Sequence, residues 1–168
     1  FARSEAADAR LVDVRAVLEA TLRLAAASLR DPIRVVRELD EVPPVMATAR
    51  RLEQVFLNLI INACQAFGDC PPGDARIRVR TERSGDGVLI EISDNGSGIP
   101  AAHRERVFEP FFTTKTSGVG TGLGLSISRA IVEAAGGRLE LAEAPGGGVT
   151  ARVYLPAAAT EGEAPEAV

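Results

Sequence analysis

The sequence predicts an α/β (α+β) fold: a two-layer sandwich of a mixed, largely antiparallel sheet with helices on one face only. Three observations carry that prediction. The candidate strands alternate apolar and polar residues, as strands with one covered face do. Three other segments repeat apolar residues at helical spacing. At 168 residues, 46% of them hydrophobic, the chain has the material for one compact domain with a sizeable core. With six Phe, one Tyr and no Trp, that core must be mostly aliphatic.

Taken in order, residues 1–10 are polar and Ala-rich without a period, and read as a linker. Val14, Val17, Leu18, Leu22 and Leu29 place a helix over 14–29, ended by Asp31-Pro32. Residues 33–39 read as a short strand, and Pro43-Pro44 as a turn into another. A second helix covers 50–67, with Leu52, Val55, Phe56, Leu59, Ile60, Ala63 and Phe67 on its core-facing arc. Gln54, Asn58, Asn62 and Gln65 form a separate polar stripe on that helix. After a Pro/Gly loop at 68–73 come strands at 76–81 and 88–94. In them Ile77, Val79 and Thr81 share one face, as do Val88, Ile90 and Ile92. A third helix over 122–135 turns Leu123, Ile127, Ile131 and Ala134 inward and stops at Gly136. Leu139 and Leu141 mark one further strand, and Val149, Ala151, Val153 and Leu155 another. Residues 157–168 read as a disordered acidic tail.

Composition excludes several functions. The formal net charge is −4, from 19 basic and 23 acidic residues with no block of one sign, so nucleic acid is not an expected partner. Cys64 and Cys70 are the only cysteines, with no second pair for a metal site, and a reduced, cytoplasmic chain is expected. No apolar run approaches the roughly 20 residues that span a bilayer, so no membrane contact is expected of this segment. The chain opens on Phe1 and reads as a piece of a longer protein, whose parent can carry an anchor elsewhere.

The chemistry concentrates at three places. Strand alternation puts Asp94 on the same face as Val88, Ile90 and Ile92, so a carboxylate points at the core and needs a partner. Gly96 and Gly98 follow it directly, which leaves two readings: a turn aspartate capping its own loop, or an acceptor for the exocyclic amine of a flat heterocycle. Second, Lys115 through Gly124 forms a loop with glycines at 118, 120, 122 and 124 that leads into a helix. It is either a flexible glycine linker or an anion site, with free N–H groups at the helix start and Lys115 as a point charge. It is not a P-loop, because no Gly-Lys-Ser/Thr closes it. Third, the amide stripe offers oxygens suited to Mg²⁺. The balance falls on structural hydrogen bonding for Asn58 and on the metal for Asn62. In this order, amide helix, Asp-Gly turn and glycine loop describe a site for a magnesium nucleotide.

These residues carry a resemblance. Asn58-Leu-Ile-Ile-Asn62-Ala-Cys-Gln-Ala66 resembles the N box of the gyrase, Hsp90, histidine kinase and MutL ATPase superfamily. Asp94-Asn-Gly-Ser-Gly98-Ile99 resembles its G1 box, Val107-Phe-Glu-Pro-Phe-Phe-Thr-Thr-Lys115 its F box, and Gly120-Thr-Gly-Leu-Gly-Leu125 its G2 box. Residues 146–156 resemble the closing hairpin. Within the superfamily the likeness is to sensor histidine kinases, nearest the nitrogen-regulation type. It implies the Bergerat ATP-binding fold over residues 11–156, with ATP and Mg²⁺ as cofactors. Asp94 would read the adenine amino group, and Asn62 would bind Mg²⁺ with Asn58 beside it. Gly96, Gly98 and Ile99 would line the base, and Gly120, Thr121, Gly122, Leu123 and Gly124 would wrap the phosphates. Phe108 would begin a mobile lid running to Gly120, with Lys115 on a phosphate.

Departures from the pattern are Gln65 and Ala66, where many relatives have a basic and an aromatic residue, and Thr113, where others have Arg. Phosphate contact therefore falls more heavily on Lys115. The phosphoacceptor box is missing: His103, the only histidine, follows Ile99-Pro100 outside the expected context and is read as an exposed residue near the lid. The resemblance thus implies a catalytic domain without its acceptor. Its partners would be an upstream dimerisation and phosphohistidine domain, homodimeric in the parent, and a response regulator receiver domain. An anti-sigma-type serine protein kinase shares the fold and is one alternative. A non-catalytic nucleotide-sensing or docking module is another.

Overall fold

A computed structural model of the chain describes residues 9–26, 29, 32–69, 72–113 and 121–159. Strand β1 (Arg10–Val12) leads into helix α1 (Val14–Ala25), whose Asp13 cap accepts from the N–H groups of Arg15 at 2.9 Å and Ala16 at 3.3 Å. Strands β2 (Arg34–Leu39) and β3 (Val45–Ala47) follow, then helix α2 (Ala49–Gln65). Strands β4 (Arg76–Ser84) and β5 (Gly87–Asp94) form a hairpin, after which a 3-10 turn (Ala101–His103) opens the segment before the glycine loop. Helix α3 (Gly124–Ala134) and strands β6 (Arg138–Glu143) and β7 (Val149–Pro156) complete the chain.

The main sheet has five strands in the order β2-β4-β5-β7-β6. Only β2–β4 is parallel; the other pairs are antiparallel, which makes the sheet mixed and mostly antiparallel as the alternation requires. The predicted inner faces hold: Ile77, Val79, Thr81, Val88, Ile90 and Val153 are all essentially without exposure. Thr81 meets the demand of its buried hydroxyl by donating to the Asp40 carbonyl at 3.0 Å. The outer face is polar, with Arg152 paired to Glu91 at 2.9 Å and Arg138 stacked on Tyr154 at 4.7 Å. Helices therefore cover one side of the sheet, and α2 lies across it with Phe56 and Ile60 fully buried.

The structure differs from the sequence reading at several points. β1 was not foreseen: it pairs antiparallel with β3, setting Val12 opposite Val45 and burying both. α1 ends at Ala25, short of the predicted 29, although Leu29 still donates to the Ala25 carbonyl at 3.2 Å. The inward face of α3 is also corrected. Ser128 and Val132 are buried, whereas Ile127 is 38% exposed and Ala134 also faces solvent. The polar Ser128 breaks the apolar pattern, and a one-residue error rotates a helix face by roughly 100°. The first residues of the expected tail stay attached, since Ala157 bridges to Val45 and Ala158 donates to the Pro44 carbonyl at 2.8 Å. Positions 1–8 of the expected linker and 160–168 of the tail lie outside the described residues.

Candidate functional site

Where α2, α3 and the ends of β5 and β7 meet, they leave a cleft of about 480 Å³. Asp94 ends β5 in its wall, 6% exposed. Its Oδ1 accepts the N–H of Gly96 at 2.8 Å and that of Val149 at 3.4 Å. Oδ2 receives no hydrogen bond among the described residues, so one oxygen caps the turn and the other remains for a ligand. Burial pushes the carboxyl above the ordinary carboxylate range, and the two N–H groups offset that only in part.

The neighbouring glycines divide by function. Gly98 and Ile99 line the cleft. Gly96 does not: a Cβ there would stand 2.7 Å from that of Ala66, so its glycine lets the turn close onto the end of α2. Ser97 seals that contact by donating to the Ala66 carbonyl at 3.1 Å. Gly148, in a hairpin read from sequence only as a closing element, is packed as tightly. Its φ is +86°, and an added Cβ would stand 2.1 Å from the Asp94 carbonyl oxygen. This packing brings the Val149 N–H to Asp94.

On the opposite wall, Asn58, Asn62 and Gln65 of α2 face the cleft as one stripe. Asn58 donates through Nδ2 to Ser128 Oγ at 3.0 Å, tying α2 to α3. Thr121, Gly122 and Gly124 line the cleft at the start of α3, where backbone N–H groups lack helical partners. Leu123 stands behind them as the residue before the helix, its N–H directed to Thr121 Oγ1 at 3.4 Å. Phe108 also stands outside the wall, half-buried against the core with the Arg129 guanidinium 4.7 Å over its ring. Gly122 (φ +67°) accepts from the Phe111 N–H at 2.9 Å, which ties the segment after the 3-10 turn to the residues just before α3. Lys115 and Gly120, and with them most of the expected lid, lie outside the described residues.

His103 is half-buried and not exposed as expected, because the 3-10 turn folds it into the cleft wall. Its ring packs 5.4 Å from that of Phe112. Cys64 is buried with a free thiol, while Cys70 lies outside the described residues. No helix among the described residues is long and apolar enough to cross a membrane.

Fold and cleft together define an ATP-binding α/β sandwich. Within that class, the chain belongs to the histidine kinase-, DNA gyrase B- and HSP90-like ATPase family, whose model matches residues 47–159. It is 38% identical over 159 residues to the signal transduction histidine-protein kinase AtoS of Escherichia coli, which covers 93% of this chain and 25% of that protein. It is 41% identical over 134 residues to the nitrogen regulation protein NtrY of Azorhizobium caulinodans, covering 76% of this chain and 17% of that one. Among solved structures, the catalytic domain of histidine kinase ThkA superposes with a TM-score of 0.77 at 30% identity, over 88% of this chain and 95% of that one. The chain thus spans a quarter or less of the length of these two curated relatives, yet matches nearly all of an isolated kinase catalytic domain.

Proposed function

We propose that residues 11–156 form the catalytic domain of a two-component sensor histidine kinase, holding Mg-ATP for phosphoryl transfer to a histidine on another domain. The observation that carries the nucleotide reading is Asp94: a carboxylate nearly buried, in a cleft wall, with one oxygen held by backbone and the other without a hydrogen bond among the described residues. In this reading that oxygen accepts the amino group of adenine, with Gly98 and Ile99 against the base. Thr121, Gly122 and Gly124 offer the N–H groups of a helix start to the phosphates; the family likeness adds Gly120 and Lys115 to that role, both outside the described residues. Gly96 and Leu123 stand outside the lining and support wall residues, Gly96 by its close approach to Ala66 and Leu123 through its N–H toward Thr121, while Phe108 packs outside the wall against Arg129.

Magnesium fits the donor set. Among the described residues no group of three or more His, Cys, Asp or Glu is gathered, so a cage of carboxylates is not what this site offers. Amide oxygens of Asn62 and Asn58, completed by phosphate and water, suit a small hard cation that keeps much of its hydration. Bound there, magnesium neutralises phosphate charge. The chain's own part is to orient the nucleotide, since phosphoryl transfer rests on positioning and charge stabilisation. The acceptor histidine belongs in this reading to an upstream homodimeric domain joined through residues 1–10, and phosphate passes on to a receiver domain. In this reading the domain works in the cytoplasm.

Calorimetric titration with Mg-ATP, followed by incubation with γ-labelled ATP, tests this. The chain should bind nucleotide, incorporate no acid-labile phosphate alone, and label an added histidine-bearing dimerisation domain of its own type. No nucleotide binding would favour a docking module, and acid-stable label on a serine would favour the serine kinase.

A further inference from the structure

Ser128 sits in the middle of α3, 1% exposed, on the face that packs on the core. A hydroxyl so placed needs a partner, and it has one from 70 residues away, the Asn58 side-chain amide at 3.0 Å. An amide has two unlike ends, one that only donates and one that only accepts. With Nδ2 committed to Ser128, Oδ1 is turned the other way. It lies against Gly124, where a Cβ would come within 2.2 Å of it, and it accepts no hydrogen bond among the described residues. Both Asn58 and Gly124 line the cleft.

We propose that Ser128 is a positioning residue for nucleotide binding, holding the Asn58 amide so that its oxygen faces the magnesium and phosphates at the start of α3. The inference rests on the nucleotide reading above. Without the hydroxyl, the amide loses the contact that distinguishes its ends, and rotation by half a turn presents NH₂ where an acceptor is wanted. Gly124 belongs to the same unit, because any larger residue would push Asn58 aside.

The test is a double-mutant cycle on Mg-ATP affinity with Ser128→Ala, Asn58→Ala and the double variant, alongside Ser128→Thr and thermal midpoints for each. Ser128→Ala should weaken Mg-ATP by about five- to tenfold, the scale of one hydrogen bond. Thr should restore affinity, and the double variant should bind no more weakly than Asn58→Ala alone. Should the alanine variant fail to fold, Ser128→Cys, of similar size with a weak sulfur acceptor, should show the same loss. Wild-type affinity in a folded Ser128→Ala or Ser128→Cys variant would overturn the proposal, as would losses that add to those of Asn58→Ala. A wild-type chain that binds no Mg-ATP would overturn the nucleotide reading first, and this inference with it.

Discussion

At the scale of single residues, Asp94 stands out as a charged side chain that is buried while still lining the cleft. Asp94→Asn keeps an oxygen for the Gly96 and Val149 N–H groups but removes the charge and can present NH₂ to a ligand amine. It should weaken ATP by about 1.5–3 kcal/mol, measured by calorimetry; unchanged affinity would remove the adenine assignment. Stability should respond in the opposite sense. Burial raises the carboxyl pKa above its ordinary 3.8, so over the interval above 3.8 the folded chain holds a proton the unfolded chain has released. Stability contributed by that proton is full below 3.8 and declines as pH rises through the raised value. The thermal midpoint of Asp94→Asn should therefore gain on wild type as pH rises from 3.8 through the raised value. A constant difference across that range would show that the ionised carboxylate costs the fold nothing.

At the scale of elements, the hairpin between β6 and β7 does more than join strands. Gly146 and Gly148 share a positive φ, +87° and +86°, but a Cβ on Gly146 meets open space and one on Gly148 meets the Asp94 backbone. Gly146→Ala should cost about 1–2 kcal/mol of backbone strain and leave ATP affinity alone. Gly148→Ala should cost more and weaken ATP too, because the Val149 N–H can no longer reach Asp94. Equal losses of affinity in the two variants would rule out that support. The same elements show where reading a sequence stops. The alternation in β4, β5 and β7 was legible because burial on one face leaves a period of two. The three-residue β1 is too short to carry a period, and the face of α3 was misread because Ser128 is polar and buried for a partner in another helix.

At the scale of the whole molecule, a ligand that binds only the folded chain must stabilise it, by about 2.7 kcal/mol at a hundredfold excess over its Kd. Mg-ATP should therefore raise the thermal midpoint with a dependence on ATP concentration, and Asp94→Asn should blunt the rise. A midpoint indifferent to nucleotide would contradict the site. The match covers a quarter or less of AtoS and NtrY, while nearly all of the ThkA catalytic domain is matched, so ATP binding is a property to seek in this domain by itself. The sequence by itself determined the two-layer class, the strand faces and the order of amide helix, Asp-Gly turn and glycine loop, because these depend on residues near one another along the chain. Only the tertiary structure decided that one oxygen of Asp94 is held by a hairpin 55 residues away. It alone moved Gly96, Phe108 and Leu123 behind the cleft, and gave Asn58 its partner in Ser128. Those outcomes depend on which backbones approach within a few ångströms, and no local period records that.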